Sequence, residues 1–345
     1  RGFTPARVAE GGFDSDYQLH GHLETPARGS QIEASFRLMH SADKRIVWSG
    51  AFNVPQFDLD AGERSALIRS IATPVAQPFG AVSSDLRSRV ESGAPGPKSA
   101  ECLARFDDYW EVRSESKRRA AYDCVLLATR LHSNTSLFPV LLSSLYVAEY
   151  LGDLPRLGPE SPLEAAEEAA KHAIRMAPGR SHPYIALSQI LNLKRDYDKA
   201  QRLAERALEM NPLDTAIMAQ LGSIYVLRGK LTQGGQLLRH AIDANPSYPS
   251  WIQFYIFLEA WIRNDKVAQL AALKGAQATE EPDVTLARVV AAAEAGDLDE
   301  AKLALSQLRA SFPAIAAAPK AALERLTLAP EIIERMLQSA QKVGL

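Results

Sequence analysis

The chain of 345 residues is 46% apolar and 23% charged, with a formal net charge of −2. That gives room for more than one domain and an ample core, and no electrostatic footprint for DNA, RNA or an anionic membrane surface. No apolar run reaches the length of a membrane span and no secretory signal opens the chain. The first residue, Arg1, is not a Met, so the expectation is a piece of a longer protein whose anchor or effector domain lies elsewhere.

Three segments near the start alternate apolar and polar residues: "DYQLHGHLE", "SQIEASFRLMH" and, after the turn-prone "SADK", "KRIVWSGAF". This predicts an antiparallel meander of three strands. Leu19, Ile32, Ala34, Phe36 and Leu38 fall on one face. His20 and His22 project together from a strand, but with no third ligand in view a solvated face is favoured over a metal site. The run "DAGERSALIRSIATPVAQPFGAV" reads as a helix with Asp60 as N-cap and Leu67, Ile68 and Ile71 as its apolar face. The expected organisation is an α+β domain over residues 1–80 and a linker over 81–99 containing "ESGAPGPKS".

Tyr17, Leu19 and Gly21 in a Y-x-L-x-G strand, the turn over 41–44 and Trp48 in the third strand carry a likeness. Together they resemble the TolB-N-terminal-like domain. That domain's first strand and helix would precede Tyr17, and residues 1–16 are too short for them, which implies truncation.

Two helices follow, "SAECLARFDDYWEVR" and "SKRRAAYDCVLLATRLH", joined by a turn near Ser114 to Ser116. Folded antiparallel, they bring Cys102 within about one helical turn of Cys124. The two have no CxxC spacing, so a zinc or thioredoxin-like site is unsupported. A disulfide and a pair of buried thiols both fit, and the facing positions favour the bridge.

A repeat then emerges. Pro178, Pro212 and Pro246 are spaced by 34 residues, and aligning on them stacks Ala166, Ala200 and Gly234; Ala170, Ala204 and Leu238; and Ala173, Ala207 and Ala241. Small residues let helix backbones approach, and proline ends each unit because it lacks an N–H and disfavours helix in the residue before it. The pattern resembles the tetratricopeptide repeat, two antiparallel helices per unit. An upstream unit carries an enlarged loop from Gly152 to Pro162. Two downstream units place Ala268, Ala272, Ala301 and Pro313 in register, and residues 318–345 read as two capping helices.

The resemblance implies a concave groove lined by the first helix of each unit. Tyr184, Gln189, Asn192, Gln220, Tyr225 and Arg228 lie on those helices, and Tyr255 lies in the aromatic run Trp251, Phe254, Tyr255, Phe257 and Trp261, most of which must be core. No nucleotide-binding, zinc-protease or hydrolase signature is present, and the basic patches have acidic neighbours. The expected fold is an α+β N-terminal domain followed by an all-α tetratricopeptide-type superhelical solenoid over 100–345.

This order of domains resembles the regulatory half of CadC-like membrane-bound transcription activators and class III adenylate cyclases, although neither a winged helix nor a cyclase motif occurs here. It implies a non-catalytic sensor that binds a protein or small-molecule ligand in the groove and controls an effector; an assembly scaffold is the alternative. No cofactor and no direct nucleic-acid contact are expected, membrane attachment would come only through a missing segment, and a homodimer is a further option. The cysteine pair points to the periplasm, with the cytoplasm as the alternative.

Overall fold

A computed structural model describes residues 16–24, 31–55, 60–76, 80–92, 98–111, 114–131, 135–152, 155–245, 248, 250–275 and 281–345. The chain divides into two compact units, the first ending at Ala76 and taking in Gly80–Asp85, the second running on to Leu345.

In the first unit β1 (Tyr17–Glu24), β2 (Gln31–His40) and β3 (Ile46–Pro55) form an antiparallel sheet in the order β1-β2-β3. The register aligns Leu19, Leu38 and Trp48 across the three strands, and likewise Leu23, Ala34 and Phe52. Between these rows Phe36 lies opposite Gly21 and Gly50. A Cβ on Gly21 would stand 2.9 Å from the Phe36 ring, so the glycine makes room for the aromatic to lie across β1. Ala34 and Leu38 are buried, whereas Leu19 is 49% exposed because it sits on the edge strand β1, most of which is exposed.

Helix α1 (Ala61–Ala76) opens with a reciprocal capping box: Glu63 N donates to Asp60 Oδ1 at 2.8 Å and Asp60 N donates to Glu63 Oε2 at 3.0 Å. Leu67 and Ile71 are half-buried, but Ile68 is exposed and leaves the apolar face assigned to it. The segment read as a linker is helical over much of its length, forming α2 (Ala81–Glu91). Its sequence is polar, but the buried Asp85 carboxylate accepts from Tyr17 Oη at 2.9 Å and from Arg45 Nη2, which pins the start of the helix to the sheet. Sequence periodicity misses such a helix because a charged pair, not an apolar face, holds it.

The second unit is all helical among its described residues. α3 (Lys98–Glu111) and α4 (Glu115–Leu131) pack antiparallel and are joined by Cys102–Cys124, with Cα atoms 5.3 Å apart. A series of hairpins follows: α5 (Leu137–Gly152) with α6 (Pro162–Met176), α7 (Ser181–Leu193) with α8 (Tyr197–Met210), α9 (Thr215–Leu227) with α10 (Leu231–Ala244), α11 (Trp251–Ile262) with α12 (Lys266–Gly275), and α13 (Pro282–Ala295) with α14 (Leu298–Ser311). The chain ends in α15 (Pro313–Ala317), α16 (Pro319–Arg325) and α17 (Pro330–Gln341).

The small-residue columns are where the hairpins close. Ala166, Ala170, Ala173, Ala200, Ala204, Ala207, Leu238 and Ala241 are all fully buried. Gly234 takes the remaining place because α9 and α10 approach too closely for a side chain: a Cβ there would lie 2.7 Å from the Gly222 carbonyl oxygen. α6 and α8 stop two residues before Pro178 and Pro212; Pro246 lies outside the described residues. Pro313 stands in register but begins α15, serving at once as stop and start. Ala272 and Ala301 are buried and Ala268 is half-buried.

Candidate binding face

The first helices α5, α7, α9, α11 and α13 touch one another in succession and form a continuous row. On this row the residues singled out in the sequence separate into three groups.

The tyrosines belong to packing. Tyr184 is 6% exposed; its Oη donates to the Pro178 carbonyl at 2.9 Å and Arg206 lies over its ring. Tyr225 Oη donates to Glu205 Oε1 on α8 at 2.8 Å, and burial together with that carboxylate pushes the phenol up to about 12. Tyr255 stacks edge-on against Trp251 and Phe254 within the core around α11, and burial drives its phenol well above the ordinary range. Phe254, Phe257 and Trp261 are fully buried, each worth roughly 1.5–3 kcal/mol of apolar burial. Gln189 and Gln220, on α7 and α9, are half-buried.

Asn192 and Arg228 meet a segment of their own chain. Asn192 Nδ2 donates to Thr327 Oγ1 at 3.2 Å, and Arg228 Nη2 donates to the Thr327 carbonyl at 3.0 Å. The Arg228 guanidinium carbon lies over the Tyr197 ring, 3.5 Å from its centroid, which steadies its fork. Thr327 occupies the turn between α16 and α17 and is 3% exposed. On one side of it α16 touches α5; on the other α17 packs against α13. Leu323 and Leu328, flanking Thr327, are buried in one cluster with Met218, Ala219 and Val226 of α9. The tail is therefore more than a cap on the last hairpin. It runs back across the row of first helices.

The docking of this turn is imperfect in two ways. Asn192 Oδ1 and Arg228 Nε are buried with no hydrogen-bond partner among the described residues. Thr327 also sits at φ 62°, a left-handed conformation that costs a β-branched residue roughly 1–2 kcal/mol. Sequence reasoning nominated Asn192 and Arg228 but not their partner. A lone Thr in "ERLTLAP" carries no signal of long-range contact.

A shallow polar pocket of about 390 Å³ lies elsewhere, between the ends of α11 and α17, lined by Asn264, Lys266, Glu294, Arg335 and Ser339 among others. Glu294 is already engaged: it accepts from Trp261, Ser339 and Lys266 at 3.0, 2.9 and 2.8 Å. Burial alone would raise its carboxyl, but these donors outweigh burial and hold it below the ordinary value. Among the described residues no group of three or more His, Cys, Asp or Glu could hold a metal, and no helix is long and apolar enough to cross a membrane. His20 and His22 are both exposed, and His22 Nε2 lies 3.3 Å from Glu24.

Comparison with known proteins agrees with the repeat. Residues 181–212, which are α7, α8 and their connections, match the tetratricopeptide repeat family. No curated protein matches the chain in sequence. In three dimensions it is similar to the Cut9–Hcn1 hetero-tetramer of the APC/C, at 12% identity and a TM-score of 0.52, over 81% of this chain and 52% of that one. It is also similar to a thermophilic tetratricopeptide protein of Thermus thermophilus (19% identity, TM-score 0.45, 56% of this chain and 100% of that one). A third similar structure is yeast Tom70 (14%, TM-score 0.46, 84% and 65%). The fold is a small antiparallel sheet followed by a tetratricopeptide-like helical solenoid.

Proposed function

We propose that this chain is a non-catalytic recognition module whose solenoid grips polypeptide along its first helices. Solenoids of this type bind protein partners or peptides. The observation that carries the reading is the engagement of Thr327: Arg228 takes a backbone carbonyl, the one group every peptide offers, while Asn192 takes a side-chain hydroxyl. A face with such donors, flanked by apolar sockets for leucines, is built for polypeptide more than for a small metabolite.

Within that reading the module serves as the sensor half of a bacterial signalling protein, passing partner binding to an effector domain. The likeness of Tyr17, Gly21 and Trp48 to the TolB-N-terminal-like pattern supports it. A bridge between Cys102 and Cys124 favours a periplasmic setting, where oxidised pairs persist. A scaffold that only recruits partners is the second reading, favoured by the fold itself.

Peptide display on the folded chain tests the recognition claim. A photo-crosslinking residue at Gln189 or Gln220 is expected to capture the selected peptides, and Asn192→Ala with Arg228→Ala is expected to weaken them. Peptides captured only when the crosslinking residue is moved to α10, α12 or α14 would remove the first-helix face as the binding site.

A further inference from the structure

Resting on that reading, we propose that residues 319–330, "PKAALERLTLAP", form a displaceable strap over the binding face. What replaces the strap is a peptide of the same chemistry: a helix end running into a turn that presents a carbonyl and a small polar side chain between two leucine-like residues.

The strap is tethered at both ends by independent contacts. Upstream, α15 packs on α14 with Ile315 buried; downstream, α17 packs on α13 with Ile333, Met336 and Ala340 buried. The stretch between them can lift as a loop without stripping the cover from α13. It also holds the tail's one non-glycine residue in the left-handed region, over a face with unmet polar atoms. α16 has only seven residues, and the Thr327 amide reaches Glu324 in an i−3 bond rather than continuing the helix. The left-handed φ of Thr327 and the two unmet buried atoms, Asn192 Oδ1 and Arg228 Nε, all converge on this turn. Each is a cost that the resident segment bears and an incoming one need not. A peptide with Asn or Gly in place of Thr would adopt the turn without strain, and a second polar group could reach Arg228 Nε. The face is thus occupied by a ligand good enough to keep its apolar sockets dry and poor enough to be exchanged.

Three measurements on the full chain decide it. Hydrogen exchange is expected to be at least about tenfold faster at residues 322–328 than at 333–340, reporting opening of the strap alone. A fluorescein-labelled peptide of residues 319–330 is expected to bind the Leu328→Ala chain at least about tenfold more tightly than the unaltered chain, because the weakened strap yields its place. The same peptide with Asn at the Thr position is expected to gain about a further tenfold from relief of the left-handed strain. Adding Asn192→Ala and Arg228→Ala should weaken both peptides at least about tenfold, with circular dichroism as the folding control.

Equal exchange across 322–340, or peptide affinity indifferent to Leu328→Ala, overturns the proposal and makes the strap a permanent part of the core. Binding accompanied by a shift to dimers on sizing assigns the segment to a second copy and overturns the one-chain strap. In either case peptides selected by display could still crosslink at Gln189, so the recognition reading would stand or fall separately.

Discussion

Asn192 at the end of α7 and Thr327 before α17 are hydrogen-bonded across 135 positions of sequence. That bond closes the tail over the repeats and makes Asn192 part of the fold as well as of the proposed binding face. Asn192→Ala is expected to cost roughly 1–3 kcal/mol, since it leaves the buried Thr327 hydroxyl without its donor. Denaturant unfolding checks this, and a midpoint equal to that of the unaltered chain would show that Arg228, Leu323 and Leu328 hold the turn without it.

Gly234 sets two physical effects against each other. Helix propensity favours Gly234→Ala by about 1 kcal/mol, whereas the added Cβ would stand 2.7 Å from the Gly222 carbonyl oxygen and 2.9 Å from the Val226 amide nitrogen. Backbone cannot yield cheaply, so the variant is expected to lose roughly 1–3 kcal/mol net. A stabilised variant would mean that α9 and α10 are farther apart than described.

Ala207 probes the repeat register. It faces its neighbouring helices and has 0% accessible surface. Ala207→Trp should overpack the α8 crossing and cost roughly 1–3 kcal/mol or more. Thermal unfolding indistinguishable from the unaltered protein would refute that register.

Asp43 gives the sheet unit a pH dependence. A hydrogen bond from His40 at 2.8 Å, then one from the Arg45 amide at 3.1 Å, lower its carboxyl from 3.8 to about 2. A depressed carboxylate stabilises the folded state above its ordinary value, and that contribution disappears as pH falls through about 2. Carboxyl-carbon NMR is expected to show Asp43 titrating near 2 and moving towards its ordinary value in His40→Ala. Titration near the ordinary value in both would mean that the turn over 41–45 is held by its backbone bonds alone.

The Cys102–Cys124 bridge closes a separation of 22 residues, for which the chain-entropy account gives roughly 3 kcal/mol. Mass analysis after alkylation under unfolding, non-reducing conditions should show no modified cysteine. Reduction should lower the melting temperature. Two alkylated thiols without reductant would count against the bridge and against the periplasmic setting built on it.

The solenoid was legible because its cause is local and periodic. Small residues at Ala166, Ala200 and Ala207 and stops at Pro178 and Pro212 recur at fixed spacing, so the primary sequence states where helices cross and end. The alternating strands and the Asp60–Glu63 cap were legible for the same reason. Helix α2 was not, because it is held by one buried carboxylate, Asp85, whose partners Tyr17 and Arg45 lie 68 and 40 residues away. The candidate face was half legible. Helical spacing put Asn192 and Arg228 on first helices, but the same spacing put Tyr184, Tyr225 and Tyr255 there too, and only three-dimensional contact gave their phenols or rings to packing. Sequence alone also made the last helices a cap. That they cross the first-helix row and seat Thr327 against α7 and the end of α9 is a long-range choice. It depends on complementary shape and on donors far apart in the chain, which no local pattern encodes.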